Sequence, residues 1–460
     1  MDHQLKKSPF QIRNVRLFIA FRIFFNSRFY YPIFTILFLD FGLTLEQFAL
    51  LNAVWAATIV LLEVPSGALA DTIGRKNLLA FTGVLMVIEM TLLCFAPREN
   101  INLLFAFFLV NRVLSGTAEA AASGADEAIA YDALKNEGNA TEWPRVLEKQ
   151  MRMQSIAYMG AMSLGAAVYD PVLMQHVAGW LGLNVQLSQH ITLRFPLYLT
   201  LITAILTLWT TLQMQEPHLH QSGGHAPAEG YGKSIVQALS LTIQAGRWIL
   251  KTPFALVIIL SGLLFDNCIR MLVTLTSQYY RLINLPEASF GLISSGMSVL
   301  GIFIPALALK MVHKRSPAFN LWIMAMLTLL GLMGYTFVWP IIGLLPVVLV
   351  RIAMYLQNFF QSHYLNRITS SEQRATVLSF KGLSFNLAYG LIGVLYSLLL
   401  ALLRAHATHT QNFLSGNELE NVVFIKSLGY FPWYFIMTMA ITLVFARWKL
   451  RGCSDHKTPG

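Results

Sequence analysis

Charge is what this chain has least of. Only 12% of its 460 residues are Asp, Glu, Lys or Arg, about half the ~25% of a soluble domain. That shortage excludes water as the solvent for most of the surface. Cysteine is almost absent too: Cys94, Cys268 and Cys453 lie far apart, which rules out a disulfide framework and a paired-ligand zinc site. No nucleophile–base spacing, phosphate loop or metal-ligand set is present. The sequence therefore predicts no enzyme, no cofactor and no metal; His218, His220 and His225 fall in a Gly/Pro-rich stretch that reads as a loop. What the chain has instead is apolar: 55% of it is hydrophobic and the mean hydropathy is +0.56. The net charge of +10 does not point to nucleic acid, because the basic residues sit at the ends of apolar runs and form no single patch.

A membrane crossing needs about 20 mostly apolar residues, and main-chain groups in lipid must be satisfied within the segment, so each crossing is a helix. Twelve runs qualify: 17–39, 46–70, 78–96, 102–124, 150–169, 195–214, 253–279, 289–312, 318–338, 341–361, 375–402 and 427–448. With the N-terminus placed inside, about 23 Lys and Arg fall on the inner side and about 5 on the outer, which fixes both termini in the cytoplasm. Residues before the first run are polar and basic, with no small-residue cleavage site, so no signal peptide is expected. The predicted organisation is a cytoplasmic N-terminus (1–16), a six-helix bundle (17–214), a cytoplasmic linker (215–252), a second six-helix bundle (253–448) and a tail (449–460). Within the linker, Ile235, Leu239, Ile243 and Trp248 recur at helical spacing, predicting an amphipathic helix on the inner membrane face. The halves echo each other weakly: Pro65 and Pro305 each precede a short basic loop. Such internal repeats are what carriers with rocking halves are built from.

Between the second and third runs stands Gly67-Ala-Leu69-Ala-Asp71-Thr-Ile-Gly74-Arg75-Lys76, and in the fourth run Arg112-Val-Leu-Ser-Gly116. These elements resemble the inner loop and the Arg-x-x-x-Gly element of the major facilitator superfamily. The resemblance extends over the twelve-run plan and implies an all-α integral membrane fold of two six-helix pseudo-repeats, working as a monomer in the cytoplasmic membrane. It also implies that Gly67, Asp71, Gly74, Arg75 and Lys76 form an inner gate, with Gly67 permitting close helix packing. An acid at the inner end of the fourth span, Asp126, Glu127 or Asp132, is then expected to meet Arg75. The arginine of the second element, Arg112, is associated with proton coupling. The Gly-Pro-rich element of drug antiporters is missing from the fifth run, where Gly160 and Gly165 occur without it.

An ionisable group at mid-bilayer costs at least about 2.5–3.5 kcal/mol, so it faces a cavity or a partner. In the resembled family the first, fourth, seventh and tenth helices line the cavity. Each carries an arginine here: Arg28, Arg112, Arg270 and Arg351. Asp266 precedes Arg270 by four residues and shares its helix face; Glu119 lies seven beyond Arg112. Those pairings leave Arg28 and Arg351 in excess unless Glu63, Glu89 or carbonyl groups engage them. A guanidinium fork suits a carboxylate or phosphate, so the expected cargo is a small organic anion. Glu119, Asp266 and Arg112 are the candidate proton-coupling residues. Arg28, Arg112, Arg270, Arg351 and Asn358 are the candidate substrate contacts, with Gln357 and Gln361 beside them. Two other readings remain open on sequence: a proton-antiport efflux pump for amphiphiles, and a non-transporting membrane receptor or scaffold.

Overall fold

The computed structural model describes residues 8–137, 140–216, 231–369, 371–410 and 416–451; the side chains of Asp71, Arg374 and a few other helical residues lie outside that description. Among the described residues the secondary structure is helical, with no strand. The helices are α1 Arg13–Asn26, α2 Phe34–Phe41, α3 Leu45–Ile73, α4 Arg75–Cys94, α5 Ile101–Ala122, α6 Ala125–Asn136, α7 Trp143–Tyr169, α8 Pro171–Trp180, α9 Gln189–Thr192 and α10 Phe195–Leu212. They continue with α11 Tyr231–Lys251, α12 Pro253–Thr274, α13 Thr276–Leu282, α14 Ser289–Lys314, α15 Pro317–Tyr335, α16 Leu344–Ile368, α17 Ser371–Thr410, α18 Gly416–Leu428 and α19 Tyr430–Arg451.

Ten stretches of described helix are long and apolar enough to cross a membrane. Counted as one bent span, α7 and α8, which meet at 83° where Asp170 precedes Pro171, bring the number to eleven. Asp170 caps the second piece by accepting from the N–H groups of Val172 (2.9 Å) and Leu173 (3.1 Å). The first predicted run, 17–39, is not a continuous helix. Pro32 has no N–H to give and its ring disfavours helix in the residue before it. The run accordingly splits into α1 and α2 around Ser27–Tyr30 and a short 3₁₀ turn. Neighbouring threonines take up the freed main-chain groups: Phe29 N–H donates to Thr200 Oγ1 (3.1 Å), and Thr203 Oγ1 donates to the Ser27 carbonyl (3.1 Å). Gly165 of α7 lies so close that a Cβ there would collide with the Phe29 carbonyl. A break of this kind inside lipid is tolerated only where protein reseals it.

The chain divides into two compact units. The first holds residues Met1–Leu43, Val54–Ala238 and Pro286–Ser295; the second holds Thr44–Ala53, Leu239–Leu285 and Gly296–Gly460. In the first, Val15 and Phe18 of α1 pack with Ala130, Leu134 and Val146 as a small core. The start of α14 belongs here: Gly291 sits directly against the Met162 main chain, and Ser295 Oγ reaches the Met159 carbonyl (3.2 Å). In the second unit the amphipathic linker helix α11 ends against the bundle, with Ile249 buried among Ala255, Leu365 and Val377. Its Leu239 and Ile243 are exposed, the apolar face expected of a helix at a membrane surface. The start of α3 also belongs to this unit. Arg404 of α17 holds both Glu46 and Glu420, and Glu420 accepts the Leu45 N–H (3.2 Å).

Candidate functional site: charged clusters inside the membrane helices

In the first unit, the helix break puts Arg28 in the interior, where its side chain is 3% exposed. Its guanidinium pairs with Glu89 of α4 at 2.6 Å, a carboxylate with no exposure at all. It also reaches Tyr30 Oη (3.3 Å) and lies over the Phe25 ring. Glu89 Oε2 has no hydrogen-bond partner. Asn111 links this pair to the next arginine: its amide donates to the Glu89 carbonyl (3.0 Å), and its oxygen accepts from Arg112 Nε (3.0 Å) and an Arg112 terminal nitrogen (2.8 Å). Arg112 further stacks over Phe34 and Phe38 and has no carboxylate partner among the described residues. Charge on a guanidinium held by a neutral amide and two ring faces is only partly offset. Glu119 is exposed, yet lies within electrostatic reach of Arg22, Arg28 and Glu89. Tyr31, 42% exposed, is in range of Arg28, Arg112 and Glu119 together. Gly116 gives the Arg-x-x-x-Gly element its packing reason. A Cβ there would meet Thr58 Cβ at 2.8 Å and the Trp55 carbonyl at 2.9 Å, so glycine lets α5 lie against α3.

In the second unit, Asp266 and Arg270 form the expected i,i+4 pair at 3.0 Å, with side chains 16% and 32% exposed. Arg270 also donates to Asn386 (3.1 Å) and lies over the Tyr389 ring. Lys381 is within electrostatic range of Asp266. Arg351 differs from all of these. It is half-buried, its contact with protein is the Met354 sulfur at 3.9 Å, and its Nε has no partner. Tyr280 and Tyr335 lie within its electrostatic reach, and no described carboxylate pairs with it. Asn358, seven residues further along α16, is exposed.

Around the turn between α3 and α4, Arg75 pairs with Asp132, among the acids its sequence pointed to. Asp71 lies in the last turns of α3, but its side chain is outside the described residues. Gly74 takes a left-handed φ of 87°, a conformation costly for any residue with a Cβ, and so opens the next helix at once. Glu216, at the end of the first bundle, accepts from the main-chain N–H groups of Arg75 (3.2 Å) and Lys76 (2.8 Å). An acid at a helix N-terminus satisfies donors that otherwise have none. Asp126 meets Arg22 of α1 at 2.6 Å, and Glu127 meets it at 2.7 Å. Two expectations are corrected. Gly67 faces open space, since a Cβ there meets nothing within 4 Å, so it makes no close helix contact in this conformation. Arg28 is not left over, because Glu89 takes it; of the four expected cavity arginines, Arg112 and Arg351 have no acid among the described residues.

Sequence reasoning missed the roles of Asn111, Asn386, Glu216, Arg22 and the Arg404–Glu46–Glu420 cluster. Asn111 had a usable signal, an amide adjacent to a mid-membrane arginine. The others pair residues more than 100 positions apart or at span ends, where spacing carries no information.

Long apolar helices, a resealed helix break and arginines embedded among them define a multi-pass membrane transporter. A family model described as Major Facilitator Superfamily matches residues 16–393, and the chain belongs to that family. Solved structures agree on the fold. A bacterial homologue of the human lysosomal transporter Spinster is 15% identical, with a TM-score of 0.72 over 99% of this chain and 100% of that one. The nucleoside transporter NupG is 14% identical, with a TM-score of 0.66 over 94% and 98%. A D-xylose-proton symporter is 13% identical, with a TM-score of 0.58 over 95% and 97%. At such identities the likeness speaks for architecture. A search of curated protein sequences finds no match.

Proposed function

We propose that this major facilitator protein carries a small organic anion across the cytoplasmic membrane, both termini inside, in exchange or symport with protons. The observation that carries the reading is a membrane arginine in each unit with no acid to neutralise it among the described residues: Arg112, held by Asn111 and two rings, and Arg351, held by a thioether. An uncompensated guanidinium away from water is costly, and a carboxylate or phosphate on the cargo supplies the missing partner bidentately. Glu119 and Asp266 are the proton carriers in this scheme. Glu119 lies within electrostatic reach of Arg28 and Arg22, and Asp266 pairs with Arg270, so each acid shares its unit with one of the two cargo arginines. The arrangement asks no chemistry of the protein beyond binding and a proton equilibrium.

A ligand screen on the purified protein tests this. Carboxylates, phosphates and cations are compared as thermal stabilisers at two pH values. The expected result is stabilisation by an anion class that changes between the two pH values in the native protein and not in Glu119→Gln or Asp266→Asn. Stabilisation by cationic amphiphiles alone overturns the anion assignment; anion stabilisation identical at both pH values overturns the proton coupling.

A further inference from the structure

A well-formed cavity of the second unit is bordered by neither Arg270 nor Arg351. It has a volume of about 780 Å³ and is walled by α12, α15, α16 and α19, mainly through apolar side chains such as Val257, Leu321, Trp322 and Phe360. That volume lies in the range of dedicated ligand sites. Two features make it more than a gap between helices. The first is at its mouth. Ser316 and Pro317 at the start of α15, Phe254 at the start of α12, and Arg447 near the end of α19 all border the cavity. Two helix N-termini and an exposed guanidinium therefore meet there, on the side that the basic residues assign to the cytoplasm. The second is deeper. Gln361 borders the cavity, is 4% exposed, and has no hydrogen-bond partner at either amide atom. A buried amide left unsatisfied is a standing cost that an occupant with a complementary group removes. Glycine at 262 preserves its position, since a Cβ there would collide with Gln361 Nε2.

We propose that this cavity holds a glycerophospholipid with an anionic head, drawn from the inner leaflet. The phosphate sits between Arg447 and the start of α15, an ester carbonyl accepts from the Gln361 amide, and an acyl chain lies along the apolar wall. The depths agree. Gln361 is seven residues from Ile368 at the inner end of α16, about 10 Å at 1.5 Å per residue, and a leaflet's headgroup layer is roughly 5–8 Å thick. Basic pockets between membrane helices on the cytoplasmic side recognise anionic heads in this way. The site is separate from the cargo arginines, so its test does not depend on transport.

The test is retention of lipid. Full-length protein is equilibrated in nanodiscs of mixed phosphatidylglycerol and phosphatidylcholine, extracted into mild detergent, and weighed by native mass spectrometry. One phosphatidylglycerol per chain is expected to remain, in preference to phosphatidylcholine. Arg447→Gln should reduce that preference about fivefold, the worth of one basic residue near an anionic head. Ala318→Trp, an exposed position at the mouth, should abolish retention, and Gln361→Leu should weaken it for both lipids. Thermal melting confirms that each variant is folded. Equal retention of the two lipids by the native protein, or full retention by a folded Ala318→Trp, overturns the proposal. So does Arg447-dependent stabilisation by inorganic phosphate without retained lipid, which would mark a free-anion site.

Discussion

The arginine clusters of the two units are built from the same residue types and closed to different degrees. In the first unit, Arg28 and Glu89 are sealed from solvent, and Asn111 ties them to Arg112. In the second, Asp266 and Arg270 are partly exposed, and Arg351 has almost nothing to hold. A sealed ion pair is cheap only while intact, because removing one partner strands a charge in a medium that cannot solvate it. A half-open pair keeps access to water and can exchange partners at little cost. The sealed Arg28–Glu89 pair is thereby suited to holding a broken helix in shape, and the loosely held arginines to meeting a ligand that comes and goes.

The sharpest way to break that contrast is to remove the acid from each pair. Glu89→Gln should lower unfolding stability by about 3–5 kcal/mol, because it leaves Arg28 buried and uncompensated; thermal and denaturant melts in one detergent would measure it. Asp266→Asn in the same assay should cost about 1 kcal/mol or less. Equal losses would erase the distinction. The helix contacts offer a second comparison. Gly116→Ala drives a methyl into the Trp55 carbonyl and Thr58, a main-chain obstacle that should cost about 1–3 kcal/mol. Gly301→Ala meets the Tyr355 ring at 3.0 Å, a side chain with room to turn, and the same melts should show a smaller loss. Function separates the clusters last. Arg351→Gln should fold with a nearly native melt and weaken anion binding about tenfold, equivalent to roughly 1.4 kcal/mol. Native affinity in a folded Arg351→Gln protein would remove that residue from the site.

Most of the architecture was readable from the chain because lipid imposes a simple rule: about 20 apolar residues make a helix, and the runs are bounded by charge or proline. One departure is instructive. The run at 17–39 passes the apolar test on composition, yet Pro32 and the polar pocket offered by Thr200 and Thr203 divide it. Local sequence announces the proline but not the two threonines, 171 and 176 positions from their partners, that make a break affordable. The same limit applied to the site. The i,i+4 spacing gave Asp266–Arg270 directly, because one helix supplies both partners. Glu89 was visible as a membrane acid, but its choice of Arg28 over every other arginine depends on how α4 packs beside the break. Gly67 shows the converse: a residue fitting a family pattern stands in open space here.

The carboxylate of Glu216 has a consequence for the linker. It grips the main chain at Arg75 and Lys76, so the residue that follows α10 by four positions is moored to the tight turn at Gly74. A pull on Glu216 would be delivered to that turn first, and should be felt at the Arg75–Asp132 pair before it is felt deeper in the unit.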